Sequence, residues 1–535
     1  MMTIADEVKY QRHRAARNQG ARSAVCELWL PMLLFGSVGA ITWAIRGTNG
    51  WGGIDGTIVP GMTWGLLWYY VCYRKGIDAR GIVLWLGMGI ALGGELGYGQ
   101  YVSWIRGIFN VDGQTIPISP WIGYAWFVIC GVGWGAPGGI VLGWALSRKA
   151  STGCWLARSL LMLILIVLLF NLGTPLLGLG AVELLGRRLV QSCPWLLYPN
   201  AGLGLYTGEL GKDLERTVYT NTQNFAVLLW WVGAMAVAAL QRDRATLTAG
   251  AVLGGGFGIG FVLSALWCLG YGFAPDYVDW WKIWELNAGF NLGLLYVVAL
   301  YWATREVDRT HDRGGESAAA SSPRQGAPAA PQWCTSGFVA FAGFVLVFVA
   351  GYEYFFWTGL LLGFFYVLSL LYATWTADRD SELNCASDRR RSVSLAFSVF
   401  FLLFILVHGA TSRTGVILRL YEPEAVDQYE WPPSRVALLV PSAAVLLAAT
   451  LVGMKRMLRS PAASAPPGAK ASYLPERMAD LLTFIGIVGA VSIWPDKIAI
   501  LYAVFLCLAI FALNRLNRRF DEIDALELPL LQATV

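Results

Sequence analysis

Arg46, Asn49, Trp51 and Asp55 stand together in one glycine-rich stretch, Arg46-Gly-Thr-Asn-Gly-Trp-Gly-Gly-Ile-Asp55-Gly56, between apolar runs at 26–45 and 57–73. A guanidinium, an amide, an indole and a carboxylate so close in sequence can hold a carboxylate, a phosphate or the hydroxyls of a sugar. The competing use of the same charges is an Arg46 to Asp55 pair that closes its own turn. Each flanking run is long enough for a membrane span, which makes the stretch a charged hinge at a membrane face. Irregular chain at that depth survives only when buried in protein or lining a wet cavity. We read it as part of a binding site.

Two further carboxylates join this set. Glu95 lies in Gly93-Gly94-Glu95-Leu96-Gly97, within or at the end of an apolar run, and Glu285 lies in Trp284-Glu285-Leu286-Asn287 at the start of another. A carboxylate at such a depth is partly desolvated, which favours its protonated form and suits proton or sodium coupling or general acid work. The alternative is that each pairs with an interfacial Arg, Lys or tryptophan N–H and fixes a helix in place. The expected substrate-binding residues are Arg46, Asn49, Trp51, Asp55, Glu95, Trp281, Glu285 and Asn287, with Glu95 and Glu285 in ion coupling. Aromatic residues crowd the same face, among them Trp104, Trp121, Trp195, Trp280 and Trp284. An interfacial aromatic belt explains such crowding, and rings alternating with Asp, Glu, Asn and Arg also suit a polyhydroxylated ligand.

Other chemistries find little support. The run Gly50-Trp-Gly-Gly-Ile-Asp-Gly56 lacks the Lys-Ser/Thr of a phosphate-cradling loop and any strand before it. Three histidines, of which His13 and His311 sit in polar segments, do not furnish a metal centre, a haem pair or a Ser-His-Asp triad. The nine cysteines contain no C-x-x-C pair. No metal, no cofactor and no nucleic-acid partner is expected.

The elements that must position these residues are transmembrane helices. The chain has 535 residues, 56% hydrophobic and only 14% charged, with 61 glycines and 25 tryptophans, and its mean hydropathy is +0.53. That is an integral membrane composition. Apolar runs predict fourteen spans, near 26–45, 57–73, 81–99, 120–146, 157–180, 224–240, 246–271, 282–303, 334–350, 354–376, 393–411, 436–454, 478–494 and 497–514. The expected fold is therefore an all-α polytopic membrane protein.

With loops assigned alternately, 29 of the 40 Lys and Arg residues fall on the side of the N terminus. The positive-inside rule then places both termini in the cytoplasm of a multi-pass cell-membrane protein, and the hinge on the opposite face. The net charge of +5 reflects that asymmetry, not a polyanion partner. The expected organisation is a basic N-terminal segment at 1–25, an eight-span module at 26–303, a disordered linker at 304–333 and a four-span module at 334–455. A second linker at 456–477, two final spans at 478–514 and a cytoplasmic tail at 515–535 follow. The longest loop, 183–224, has room for a re-entrant piece near 195–205.

Spans three and seven share an order of features: a short basic loop, a glycine-rich helix, Gly-Tyr-Gly at 97–99 and 270–272, an outer loop and a tryptophan-led span. A parallel 4+4 duplication of the first eight spans would produce this order and would put a site at the interface of the repeats. Chance matches in a glycine-rich chain are the alternative. The expected function is secondary transport of a small polar solute, a sugar or sugar derivative, with the lipid bilayer as the other partner. The rivals are a membrane-embedded enzyme acting on a lipid-linked or periplasmic glycan and an assembly subunit of a membrane complex. For the topology, a fluorescent protein fused after Val535 should fluoresce, and a reporter active only outside the cytoplasm should work at position 52 and fail at position 78; the reverse pattern would refute the orientation.

Overall fold

The structure, a computed structural model, describes residues 28–46, 64, 67, 71, 97–147, 152–170, 181–197, 199, 212–274 and 278–318, with isolated positions between 501 and 519. Its elements are α1 (Leu30–Arg46), α2 (Gly99–Trp104), β1 (Ile108–Val111), β2 (Gln114–Pro117), α3 (Pro120–Leu146), α4 (Thr152–Phe170) and α5 (Ala181–Ser192). Then come α6 (Pro194–Leu197), α7 (Lys212–Leu240), α8 (Arg244–Gly250), a π turn (Ala251–Gly255), α9 (Gly256–Ala265), a 3-10 turn (Leu266–Gly272) and α10 (Trp280–Ala318). Among the described residues, 4 helices are long and apolar enough to cross a membrane: Pro120–Trp144, Asp213–Leu240, Arg244–Gly272 and Trp280–Ala303. The helical, multi-pass membrane character follows. The spans at 334–494 lie outside the described residues, as do most of those at 57–73 and 81–99, and with them the total of fourteen and the 4+4 repeat.

Glycine sets how these helices pack. In α3, Gly131, Gly135, Gly139 and Gly143 recur every fourth residue and so line one face. A Cβ at these positions would meet, in turn, Phe257 and Gly258, Leu253, Ala249 and Thr246. The descending order of the partners shows α3 running antiparallel to the 244–272 helix from Gly131 to Gly143. The second close crossing joins α1 to α10, where Gly36 abuts the Phe290 ring, Gly39 and Gly289 meet through their backbones, and Gly293 meets Phe35. Lipid supplies no hydrophobic drive between helices, so close van der Waals contact at small residues holds them together.

Large aromatics fill the space that these crossings leave. Trp43, Trp64, Trp104, Trp134 and Trp284 are all fully buried. Trp64, Leu67 and Val71 are helical and buried at spacings of three and four, which places them on one helix face within the core. Near the C terminus, Leu501 and Phe505 pack on Ala40, Ile41, Ala44 and Leu286, so the last predicted span leans on the α1–α10 pair.

Three details differ from the sequence reading. The 183–224 loop is largely helical: it holds most of α5, all of α6 and the first turns of α7, which starts at Lys212 instead of 224. Hydropathy hid this extension because Thr217, Thr220, Asn221, Thr222, Gln223 and Asn224 form a polar run that the protein buries. The all-α class also gains a hairpin, β1 paired antiparallel with β2. Asp112 and Gly113 turn it with φ of 47° and 76°, the Asp-Gly pair that a two-residue hairpin favours. Asp112 N–H donates to Asp213 Oδ2 and Asp213 N–H donates to Asp112 Oδ1, both at 3.0 Å, which fastens the hairpin to the start of α7. Finally, α10 continues to Ala318, into the stretch expected as linker from 304.

The packing predicts opposite outcomes at two glycines. Gly289→Val drives a side chain into the Gly39 backbone and should cost about 3 kcal/mol or prevent folding. Gly233→Ala, where an added Cβ meets nothing within 4 Å, should leave the thermal unfolding temperature of the purified protein unchanged or slightly raised, as expected for alanine in a helix interior. Equal stability of the two variants would refute the close crossing.

Candidate functional site

At the end of the bundle where α1 finishes and α10 begins, the first turn of α10 is fixed by Asp279, whose Oδ1 accepts from the Lys282 N–H at 3.1 Å. Lys282 and Glu285, three residues apart, share a helix face. The Lys282 Nζ lies 2.5 Å from Glu285 Oε2, with side chains 2% and 1% exposed. It also donates to the Ala44 carbonyl at 3.2 Å. Trp281 Nε1 donates to the other carboxylate oxygen, Oε1, at 2.9 Å. Ala44 belongs to the last turn of α1, whose carbonyls have no helical partner and carry the negative end of the helix dipole. An ammonium ion is the natural cap for that end, and the carboxylate of Glu285 balances it.

Around this pair the core is aromatic. Tyr98, directly after Gly97, has its ring centroid 4.9 Å from that of Trp284 and 6.0 Å from that of Trp281. Trp281 and Trp284 meet edge to face at 4.8 Å, and Phe261 lies 5.5 Å from Trp284. The expected aromatic belt therefore divides: Trp121 and Trp195 are 78% and 71% exposed, whereas Trp104 and Trp284 are core residues.

A second polar centre is built from amides. The Tyr101 hydroxyl donates to Asn221 Oδ1 at 2.5 Å, and Gln100 Nε2 donates to the same oxygen at 3.1 Å. Asn221 Nδ2 donates in turn to the Leu197 carbonyl. Asn224 Nδ2 donates to the carbonyls of Gly97 at 3.1 Å and Thr220 at 3.0 Å. Asn224 Oδ1 and Trp284 Nε1 are buried without a partner among the described residues. Burial pushes the Tyr101 phenol well above its usual pKa, so it remains a neutral donor. Its ring lies 5.6 Å from Phe127, itself 6.0 Å from Trp284, so contiguous rings link the amides to the ion pair.

The predicted residues are distributed unevenly over this geometry. Trp281 and Glu285 come together with Lys282. Asn287 instead accepts from Asn291, at 3.4 Å, which also donates to the Gly260 carbonyl of α9 at 3.0 Å. Arg46 is the last residue of α1, two positions beyond the carbonyl that Lys282 caps; Asn49, Trp51, Asp55 and Glu95 lie outside the described residues. Among the described residues, no group of His, Cys, Asp and Glu is placed to hold a metal ion.

Sequence reasoning missed Tyr98, Tyr101, Asn221 and Asn224, though the five successive polar residues 220–224 were a signal. It also missed a buried ion pair at the opposite end of the bundle. Arg158 Nη2 lies 2.6 Å from Asp243 Oδ2. Asp243 also caps α8, accepting from the Thr246 N–H at 3.2 Å and its hydroxyl at 2.8 Å. The Arg158 guanidinium stands 5.8 Å from the centre of the Trp144 ring. No protein-family model, no curated protein and no solved structure matches this chain.

Breaking the Lys282–Glu285 pair from one side leaves a buried charge. Glu285→Gln should destabilise the purified protein by about 3–5 kcal/mol, and the Lys282→Met, Glu285→Leu double variant should recover most of that loss. Unfolding by SDS titration checks this; a Glu285→Gln protein as stable as the wild type would show that the pair is not buried as described.

Proposed function

We propose that the chain is a secondary transporter of a small polar solute, a sugar or sugar derivative, whose site faces the extracytoplasmic side. The observation that carries this reading is the concentration of charge and amide groups inside an apolar bundle. Lys282 and Glu285 are 2% and 1% exposed, Glu285 accepts from the Trp281 indole, and the Tyr98 ring packs edge to face on Trp284 and tilted against Trp281. Intramembrane ionisable residues mark substrate and ion pathways more often than they stabilise a fold.

The chemistry suits an uncharged polyol. Lys282 and Glu285 balance each other, so this pair by itself selects neither an anion nor a cation. Trp281 and Tyr98, both half-buried, provide aromatic rings of the kind that stack on C–H surfaces, backed by the buried Trp284. Asn224 Oδ1 and Trp284 Nε1 supply a buried acceptor and a buried donor, the two roles a hydroxyl can answer. Arg46 follows Ala44 at the end of α1, and Glu95 precedes Tyr98 by three residues. Both are thus tethered by short chain to the ion pair and its rings. Because Glu285 already has Lys282 and Trp281 as partners, Glu95 is the residue to which we assign ion coupling.

Purified protein in liposomes should take up one member of a panel of radiolabelled monosaccharides, amino sugars and uronic acids, saturably and faster under a proton or sodium gradient. Glu95→Gln should abolish the gradient dependence and lower uptake at least about tenfold, the size expected for removing a positioned proton carrier. Absence of uptake across the panel would overturn the reading. Gradient-independent turnover of a lipid-linked glycan donor in detergent would transfer it to the enzyme alternative.

A further inference from the structure

Two departures from regular helix lie beside each other in the middle of the bundle. Pro137 is inside α3; it has no N–H, so the carbonyl of Gly133, four residues earlier, loses its helical donor. On the neighbouring helix, the π turn Ala251–Gly255 separates α8 from α9. Such single π turns interrupt the regular hydrogen-bond ladder and concentrate at functional positions. The two are at the same level. Gly135 packs on Leu253 and Gly139 on Ala249, and Pro137 lies midway between these two glycines.

The parts on either side of this level are anchored to different partners. On one side, Asp243 at the start of α8 is bound to Arg158 of α4 at 2.6 Å, and Trp231 of α7 donates to the Gly250 carbonyl at 3.1 Å. On the other side, Asn291 of α10 donates to the Gly260 carbonyl of α9 at 3.0 Å, and Phe261 lies 5.5 Å from Trp284. Between the anchors the α3 glycines Gly135 and Gly139 meet the carbonyls of Leu253 and Ala249 directly, so the two backbones touch at this level with no side chain of α3 between them at those positions, while Trp134 and Phe257 both pack on Trp43. The glycine at 255 is not demanded by packing: an added Cβ meets nothing within 4 Å. What glycine supplies at that position is backbone freedom.

We propose that α3 and the 244–272 helix share a hinge at the level of Pro137 and Ala251–Gly255. About it, the half that carries Phe127, Phe261 and the ring system tilts against the half fastened by Arg158 and Asp243. Kinks in helices arise at proline, glycine and π turns, and here all three coincide across one interface. The hinge does not depend on which solute, if any, the protein carries. It is a property of the backbone and is tested without a transport assay.

Hydrogen–deuterium exchange of the full chain in lipid nanodiscs is the test. Peptides covering 133–138 and 251–257 should exchange at least about tenfold faster than 289–297 of α10, as expected for a locally opening segment. Gly255→Ala, which fills open space, should slow the 251–257 peptide severalfold without lowering the unfolding temperature. Pro137→Ala should do the same for 133–138. Wild-type exchange as slow as that of 289–297 would overturn the hinge. So would exchange in Gly255→Ala and Pro137→Ala that remains as fast as in the wild type.

Discussion

Lipid gives no hydrogen bonds, so every charge and amide carried into this bundle depends on a partner supplied by the protein. The Lys282–Glu285 pair shows how strictly that constraint acts. The ammonium takes one carboxylate oxygen and the terminal carbonyl of α1, the Trp281 indole takes the other oxygen, and the side chains are 2% and 1% exposed. A capped helix end, a balanced charge and the angle between α1 and α10 are thus one interaction. The glycine crossing at Gly39 and Gly289 lies further along the same two helices, and it is what brings Ala44 within reach of Lys282.

The opposite end of the bundle repeats the solution with different residues. Arg158 and Asp243 form a buried pair that ties α4 to the start of α8, and Asp243 also caps that helix through Thr246. Between the two pairs the interior is aromatic and amide-rich, from Trp43 and Trp134 at 4.7 Å to the Tyr101–Asn221 hydrogen bond. Buried ion pairs stand at both ends, and Pro137 and the π turn Ala251–Gly255 lie between them.

Much of this was legible in the sequence, and the limits have physical causes. Spans 120–146, 246–271 and 282–303 were readable because continuous apolar runs report burial in lipid directly. The start of α7 was not, since residues 220–224 are polar and their partners, Tyr101, Gln100 and the carbonyls of Gly97 and Leu197, come from segments 24 or more residues away. For Glu285 the residue was found and the pairing with a lysine or tryptophan N–H was one of its two expected fates. The i, i+3 spacing from Lys282 was in the sequence; the Ala44 carbonyl that completes the arrangement could come only from the fold. Arg158 and Asp243 escaped notice because each sits beside a basic loop, where a charge looks solvated.

The proposed single site requires that the 46–56 stretch and Glu95 lie against the Lys282–Glu285 pair. A density map of the full chain in a lipid nanodisc, resolving the side chains of Arg46, Asp55, Glu95 and Glu285, measures this directly. The account predicts that Arg46, Asp55 and Glu95 come within about 6 Å of the Trp281–Glu285 face, the range over which charges tune one another. Separation of these residues beyond side-chain reach, on different faces of the bundle, would contradict it.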